Sequence, residues 1–264
     1  MSPPIAITMG DASGVGPEIV LRRHAAGLLP DDVVVYGDLA ILRRGAQLLG
    51  LDEHLTGLRV VDLGLLGATD HRPGVIDRAS GAAARAYVLR ATDDALAGRV
   101  RAIVTMPMNK EATQLSDPGF VGHTELIADR CGVQSFSMML VAGDLAVTHV
   151  STHVSLSEAI RRVSVGRVGE VIDLTHRTLL PFQPSPRIAV CGLNPHAGEH
   201  GLFGDEDERH IVPAIAAARS RGIDASGPHP ADTVFHQAVH RKRYDAIVCM
   251  YHDQGHTPMK LLAF

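Results

Sequence analysis

Short apolar runs alternate with longer amphipathic segments along most of this sequence, and this alternation limits the fold more than any other feature. The runs are rich in Val, Ile and Ala and cover residues 5–8, 33–36, 102–105, 137–142, 145–150, 187–191 and 245–250. Helix-like segments lie between them, most clearly at residues 80–97, 168–179 and 206–219. Strands that are apolar on both faces are typical of parallel sheets covered by helices on both sides. The pattern therefore predicts an α/β protein with mostly parallel, buried strands.

The chain is long enough for two folded lobes. Its 264 residues, 45% of them hydrophobic, suffice for one large core or two smaller ones. We place the boundary near residue 130, which predicts a first α/β lobe at residues 1–130 and a second at residues 131–264. The final residues, MKLLAF, form an apolar, strand-like run that ends at Phe264 without a polar cap. Because chain termini are usually exposed, this ending predicts a chain cut off inside its fold.

Charge, cysteine content and hydropathy exclude several classes of protein. A net charge of −4 creates no basic field for nucleic acid. The three cysteines, Cys131, Cys191 and Cys249, are far apart in sequence, which argues against a disulfide framework or a cysteine zinc site. Neither a signal-peptide pattern nor an apolar run of about eighteen residues is present. We expect a cytoplasmic protein without a nucleic-acid or membrane partner.

Three strand-like runs are each followed by a histidine in a polar, glycine-containing turn. These residues are His153 in THVSTHVSL, His196 in CGLNPHAGEHGLFG and His252 in CMYHDQGH. Ligands bind at the carboxyl ends of strands in open α/β sheets, so we expect the three side chains to converge. Three neutral imidazoles suit a divalent metal with an open position for substrate oxygens.

The alternative for any single histidine is a surface or core role, since the chain holds 15 of them. His149 lies inside a strand-like run, so we expect it in the core or at an interface. Other histidines lie in or beside helix-like segments, and we expect them to be solvated: His24, His54, His71, His176 and His240.

The segment ITMGDASGVGPEIV imitates a dinucleotide-binding loop, with Asp38 following the next strand. The third glycine of that fingerprint is missing, because Gly16 is followed by Pro, Glu and Ile. No Gly-Lys-Ser/Thr follows either, which excludes a Walker A loop. A tight turn with Pro17 at the first helical position accounts for Gly14 and Gly16 without a ligand.

Further polar residues have both a functional and a structural interpretation. His123 and Thr124 open a helix-like segment, where free N–H groups favour an anion, although a simple helix cap is equally compatible. Asp232 in GPHPADT is either a metal-supporting or proton-transferring carboxylate, or the N-cap of a helix beginning at Val234. Lys260 lies among apolar neighbours, where it either pairs with an anionic substrate or faces water from an edge strand.

Several longer motifs together resemble the 4-hydroxythreonine-4-phosphate dehydrogenase family. They include GVGPEI, GHTELIA, THVSL, CGLNPHAGE, PADT and YDAIVCMYHDQGHTPMK, in the family's order from Ile5 to Phe264. The sequence departs from the family at Ala12 and Ser13 and in the acidic pair at Asp205 and Glu206. Neither departure involves a proposed ligand.

The resemblance implies a fold similar to the isocitrate and isopropylmalate dehydrogenases, with the active site in a cleft between two lobes of an obligate homodimer. It also implies that His153 and His196 bind a divalent metal (Zn, Mg or Co) together with His252 of the partner subunit. His123, Thr124 and Lys260 would contact the substrate and its phosphate.

The implied reaction is oxidation with decarboxylation of 4-phosphohydroxy-L-threonine in pyridoxine biosynthesis, with NAD or NADP as hydride acceptor. Either Asp232 or Lys260 would take the hydroxyl proton. Some relatives act on erythronate or threonate 4-phosphate, and His256 with Pro258 in HDQGHTP is closer to that group. Others oxidise a cyclic diol dicarboxylate.

Two other classes of function remain open from sequence. A metal hydrolase or aldolase would use the same histidines without a nucleotide, and an inactive binding module would bind ligand without turnover. Family members continue with a tail that supplies an Asn, an Arg and much of the nucleotide pocket. A chain ending at Phe264 therefore predicts impaired folding or loss of activity.

Overall fold

A computed structural model describes residues 2–263 as two compact units, which divide between Gln134 and Ser135. The sequence placed a boundary near residue 130. Within the described range, no helix is both long and apolar enough to cross a membrane. The terminal Phe264 lies outside the described residues.

The first unit contains a four-stranded sheet in which every pair of neighbouring strands is parallel, in the order β3-β2-β1-β4. The strands are β1 (Ile5–Thr8), β2 (Val33–Gly37), β3 (Val60–Asp62) and β4 (Ala102–Thr105). The helices are α1 (Gly16–Ala25), α2 (Leu39–Leu49), α3 (Arg78–Leu96), α4 (Lys110–Gln114) and α5 (His123–Cys131).

The second unit contains a five-stranded sheet in the order β5-β6-β9-β7-β8, parallel except for the β5–β6 pair. Its strands are β5 (Met139–Ala142), β6 (Leu145–His149), β7 (Ile188–Cys191), β8 (Ala225–His229) and β9 (Ala246–Cys249). Its helices are α6 (Leu156–Arg162), α7 (Val165–Leu179), α8 (Val212–Ser220), α9 (Ala231–Arg241) and α10 (His252–Ala263). A π-helical turn, Asp207–Ile211, leads directly into α8. Because β6, β9 and β7 are neighbours, their carboxyl ends form one edge.

Strand β9 shows why the central strands are apolar throughout. Ala246 and Val248 pack into one hydrophobic cluster, while Ile247 and Cys249 pack into a second. Since side chains alternate between the two faces of a strand, these clusters lie on opposite faces of the sheet. A strand that is buried on both faces reads as a continuous apolar run, which confirms the predicted α/β pattern of buried parallel strands.

The glycine-rich turn after β1 is a packing device. Pro17 is the second residue of α1, one position after the first helical position predicted for it. A Cβ on Gly16 would overlap the carbonyl oxygen of Met9, so only glycine permits this close approach. The tight-turn interpretation therefore accounts for the local sequence.

Asp38, the residue that imitates a ribose-binding acid, is fully buried. Its carboxylate accepts hydrogen bonds from the main-chain N–H groups of Leu65 (3.0 Å) and Leu66 (2.8 Å) and from the Tyr87 hydroxyl (2.6 Å). Burial and the adjacent carboxylate raise the pKa of Tyr87, so the phenol stays protonated and donates. The Asp38 carboxylate therefore serves as a structural acceptor inside the first unit and not as a ribose-binding group.

One local prediction was wrong, and one of two alternatives for a second residue is excluded. The run MKLLAF is helical as far as it is described, because α10 extends from His252 to Ala263 around an internal Pro258. A short apolar run does not distinguish helix from strand, and here only Met259 is buried while Leu261 and Leu262 are exposed. Helix α9 begins at Ala231, so Asp232 lies in its first turn and is not its N-cap.

Candidate functional site

The carboxyl ends of β6 and β9 bring two of the predicted metal ligands together. His153 lies in the loop between β6 and α6, and His252 begins α10 directly after β9. Their imidazole centroids are 5.4 Å apart, with ring planes inclined at 45°. The two side chains, far apart in sequence, therefore meet because their strands are neighbours in the sheet.

A cavity of about 460 Å³ lies beside this pair. It is lined by Thr152, His153, Val154, Ser155, Leu156, Ala159, Tyr251, His252 and Asp253. Both imidazoles of the pair thus border a space large enough for a small ligand.

Asp253 orients the His252 ring. Its carboxylate oxygen lies 2.6 Å from Nδ1 of His252. Because a carboxylate accepts hydrogen bonds, Nδ1 carries the proton and donates it, which leaves Nε2 of the neutral ring with a free lone pair. A histidine held this way by a carboxylate is the usual arrangement behind a metal-binding imidazole.

Two further histidines, not predicted as site residues, extend from the pair into the core. The His256 ring stacks on His252 at 3.6 Å between centroids, with ring planes only 11° apart. Behind it, His149 Nε2 lies 3.2 Å from His256 Nδ1. The sequence signal was available, since His252 and His256 are four residues apart in one helix and therefore share a face.

Burial keeps both inner rings neutral. It lowers the pKa of His149 to about 4, although a hydrogen bond to the Met138 carbonyl opposes the shift. Burial, and then the charge of His252, also lower the pKa of His256. His149 is only 1% exposed, which confirms its predicted place in the core.

His196 does not join this group. It follows β7 in the turn Pro195–Gly198, and its ring packs 6.0 Å from that of Phe203. Across residues 2–263, no set of three His, Cys, Asp or Glu side chains is placed to hold a metal ion. The predicted convergence of three histidines is thus found for two of them within one chain.

The loop that carries His196 has an unusual backbone. Four residues other than glycine have positive φ angles here: His196 (53°), Ala197 (54°), Glu199 (43°) and His200 (55°). Such conformations cost free energy and persist only where other contacts enforce them. The fully buried Asp207 holds the start of this loop, since its carboxylate accepts hydrogen bonds from the main-chain N–H groups of Leu193 and Asn194.

The remaining predicted site residues lie elsewhere in the two units. Asp232 is exposed in α9, where its carboxylate accepts a 3.0 Å hydrogen bond from the Thr233 hydroxyl. Lys260 is exposed on α10, four residues beyond His256, so the two belong to the same row of the helix.

His123 and Thr124 open α5 in the first unit, at the helix N-terminus expected from the sequence. Nε2 of His123 is buried without a hydrogen-bond partner among the described residues. Burial lowers the pKa of His123, although a hydrogen bond with the Met106 main chain opposes this.

Comparison with solved structures places the fold in a class of α/β dehydrogenases. The chain superposes on the crystal structure of 4-hydroxythreonine-4-phosphate dehydrogenase from Klebsiella pneumoniae with a TM-score of 0.91 and 42% sequence identity. The match covers 100% of this chain and 84% of the other. It confirms the predicted α/β fold class.

Sequence comparison defines the family. Residues 30–264 match the family described as pyridoxal phosphate biosynthetic protein PdxA, and the chain belongs to it. It is 44% identical to 4-hydroxythreonine-4-phosphate dehydrogenase from Geobacter metallireducens, over 99% of this chain and 82% of the relative. It is 42% identical to D-threonate 4-phosphate dehydrogenase from Salmonella typhimurium, over 98% of this chain and 84% of the relative. The family and the oxidoreductase class predicted from sequence are thereby confirmed.

Proposed function

We propose that this chain oxidises a small four-carbon hydroxy-acid phosphate with NAD or NADP, using a divalent metal bound by histidines. The observation that carries the proposal is the pairing of His153 and His252 at one sheet edge. The names of the relatives support the reaction class, since those proteins are dehydrogenases of four-carbon phosphates.

The geometry of the pair suits a metal that prefers nitrogen ligands. Two imidazoles that share a tetrahedral ion at about 2.0 Å per metal–nitrogen bond have ring centroids roughly 5 Å apart, close to the 5.4 Å found here. Neutral imidazole favours zinc or cobalt over magnesium, which prefers oxygen. His153 and His252 would therefore hold Zn²⁺ or Co²⁺.

The third imidazole is supplied by a second copy of the chain. Among residues 2–263 of one chain, His153 and His252 lie together but no set of three ligands forms, so a second copy would contribute His196. This sharing keeps the three histidines predicted from sequence. The assignment to subunits differs from the one that the resemblance implied. There, His153 and His196 came from one subunit and His252 from the partner, whereas here His153 and His252 come from one subunit.

A bound divalent cation would supply Lewis acidity at the hydroxyl that is oxidised and at the resulting 3-keto acid, which favours decarboxylation. The chain itself positions the substrate. The N-terminus of α5, with His123 and Thr124, would offer N–H groups to the phosphate, and a charged Lys260 would pair with an anionic group of the substrate. Asp232 or Lys260 would accept the hydroxyl proton, but Lys260 can do so only when it is uncharged and therefore not paired with the phosphate; either acceptor must lie within hydrogen-bonding distance of that hydroxyl.

A spectrophotometric panel tests the reaction. Purified protein is mixed with Zn²⁺ or Co²⁺, with NAD or NADP, and with 4-phosphohydroxy-L-threonine, D-threonate 4-phosphate or D-erythronate 4-phosphate. Absorbance of reduced nicotinamide that grows with one of these substrates supports the proposal and identifies the substrate. No reduction with any combination overturns it, and phosphate release without reduction would instead indicate a hydrolase.

Metal binding is tested separately, by competition for Zn²⁺ with a chromophoric chelator. Replacing His153 or His252 with alanine is expected to weaken affinity by more than about 100-fold, the upper range for residues that only support a ligand. His240→Ala is the matched control, because His240 is an exposed histidine on α9 whose ring centroid lies 4.9 Å from that of His236. Unchanged affinity in both site variants would contradict the metal site.

Mixed dimers test the sharing of ligands. Consider two inactive variants whose substituted histidines come from different subunits within one metal site. When these variants are mixed, one of the two sites in the mixed dimer contains no substitution, so activity is restored. The geometry predicts that His153→Ala and His252→Ala fail to complement each other, whereas each is complemented by His196→Ala. If no pair restores activity, the shared site is wrong.

A further inference from the structure

Three imidazoles are in contact in series, from the buried end of β6 to the cavity. His149 is the innermost and is 1% exposed, His256 lies next and is 8% exposed, and His252 borders the cavity. The ring centroids of His149 and His256 are 4.7 Å apart, and those of His256 and His252 are 3.6 Å apart. The series connects the core to the outer imidazole.

Hydrogen bonds determine which nitrogen of each inner ring carries the proton. His149 Nδ1 lies 3.4 Å from the Met138 carbonyl, which only accepts, so Nδ1 donates and Nε2 keeps its lone pair. His256 Nδ1 must then donate to that Nε2 at 3.2 Å, and the carbonyl of His252, 3.1 Å away, accepts from the same N–H group. Both inner rings are therefore Nδ1–H tautomers.

Gly255 makes this contact sterically feasible. A Cβ at this position would overlap Nε2 of His149 and would lie 2.8 Å from Cγ1 of Val147. Real Cβ atoms do not approach so closely, so glycine is what allows α10 to lie against β6. The His256 ring is thus confined between β6 and His252.

We propose that His149 and His256 are positioning residues that hold the His252 imidazole in its orientation beside His153. The hydrogen-bond chain from Met138 fixes the His256 ring, and the stacked His256 ring restricts rotation of His252. A ligand side chain that is already oriented loses less conformational entropy when it binds. The part of this inference that concerns metal affinity rests on the proposed function.

Zinc competition measures the positioning effect. His256→Ala removes the stacked ring and is expected to lower Zn²⁺ affinity by about 10- to 100-fold, the range for residues that support a metal ligand. His256→Phe keeps a ring against His252 and is expected to retain more affinity than His256→Ala. His240→Ala serves as the control. Affinity of His256→Ala within threefold of the wild type would overturn the positioning role.

Histidine ¹⁵N NMR of the metal-free protein tests the hydrogen-bond chain directly, whether or not zinc binds. Long-range ¹H–¹⁵N correlations are expected to show His149 and His256 as Nδ1–H tautomers. His149→Leu removes one of the two acceptors of the His256 Nδ1–H group and is expected to change the ¹⁵N chemical shift of His256 Nδ1, while the His252 carbonyl keeps the Nδ1–H tautomer. An Nε2–H tautomer at either ring would overturn the chain, while a wild type that binds no zinc would overturn the proposed function instead.

Discussion

Replacing Asp207 with alanine tests how the loop that carries His196 is held. The Asp207 side chain is fully buried and accepts hydrogen bonds from Leu193 N (2.8 Å), Asn194 N (3.1 Å) and Asn194 Nδ2 (3.0 Å). The amide of Asn194 has a second acceptor in Glu206 at 2.8 Å, so only the two main-chain N–H groups lose their partner. The variant therefore leaves two donors of this loop without an acceptor.

The magnitude follows from those two donors. A buried donor left without its partner costs roughly 1–3 kcal/mol, so Asp207→Ala is expected to lower the free energy of unfolding by about 2–4 kcal/mol, because water entry reduces the upper limit. Relief of main-chain strain in the loop offsets part of this loss. His196 and Ala197 hold left-handed conformations that relax once the contacts are lost.

Urea-induced unfolding followed by far-ultraviolet circular dichroism measures the change, since the chain contains no Trp for fluorescence. Asp205→Ala is the matched control, because Asp205 is exposed and forms a salt bridge with the exposed Arg209. The control is expected to stay within about 0.5 kcal/mol of the wild type. The reasoning is refuted if Asp207→Ala also unfolds within that margin.

Three further changes are predicted. Gly16→Ala places a methyl group against a main-chain oxygen and is expected to cost about 1–3 kcal/mol in unfolding free energy, measured by urea denaturation. A hydrogen bond from Arg187 lowers the pKa of Asp245, so this pair contributes stability above the ordinary carboxyl pKa of 3.8 and loses it as the pH falls through the lowered value. Asp245→Asn should therefore be less stable at neutral pH and lose less stability on acidification, measured by urea denaturation at several pH values. Asp253→Asn weakens the hydrogen bond that orients His252 and is expected to lower Zn²⁺ affinity by about tenfold.

Each change has a control and a contrary result. For Gly16 the control is Gly169→Ala, a helical position with open space around its Cβ, where a gain of up to about 1 kcal/mol is expected. Equal effects at the two glycines would contradict the steric argument. An Asp245→Asn curve parallel to that of the wild type down to pH 3 would contradict the pKa shift. Unchanged zinc affinity in Asp253→Asn would mean that its carboxylate does not orient the ring.

Much of the fold was predictable, because buried strands and amphipathic helices each produce a recognisable pattern of apolar residues in the sequence. The core strands β1, β2, β7 and β9 lie within one or two residues of the predicted runs, since strands buried on both faces must be apolar throughout. Strand β8, with the sequence ASGPH, was missed because it is neither alternating nor continuously apolar. The end of α10 was misjudged because a short apolar run carries no period.

The candidate site was predictable only in part. His153 and His252 were selected because each follows a strand, a property that the sequence displays. The positions of His149 and His256 around them depend on Gly255, whose importance appears only when α10 lies against β6. No pattern in the sequence predicts the contact between His149 and His256.

The sequence by itself determined the class of fold, the family and the set of histidines that follow strands, because these depend on residue type and local spacing. The tertiary structure alone decided that β6 and β9 are neighbours, which brings His153 beside His252 and leaves His196 with Phe203. Strand order is set by how helices cover both faces of the sheet, a property of the whole unit. The distances between catalytic candidates follow from that order, so they could not be read from the chain one segment at a time.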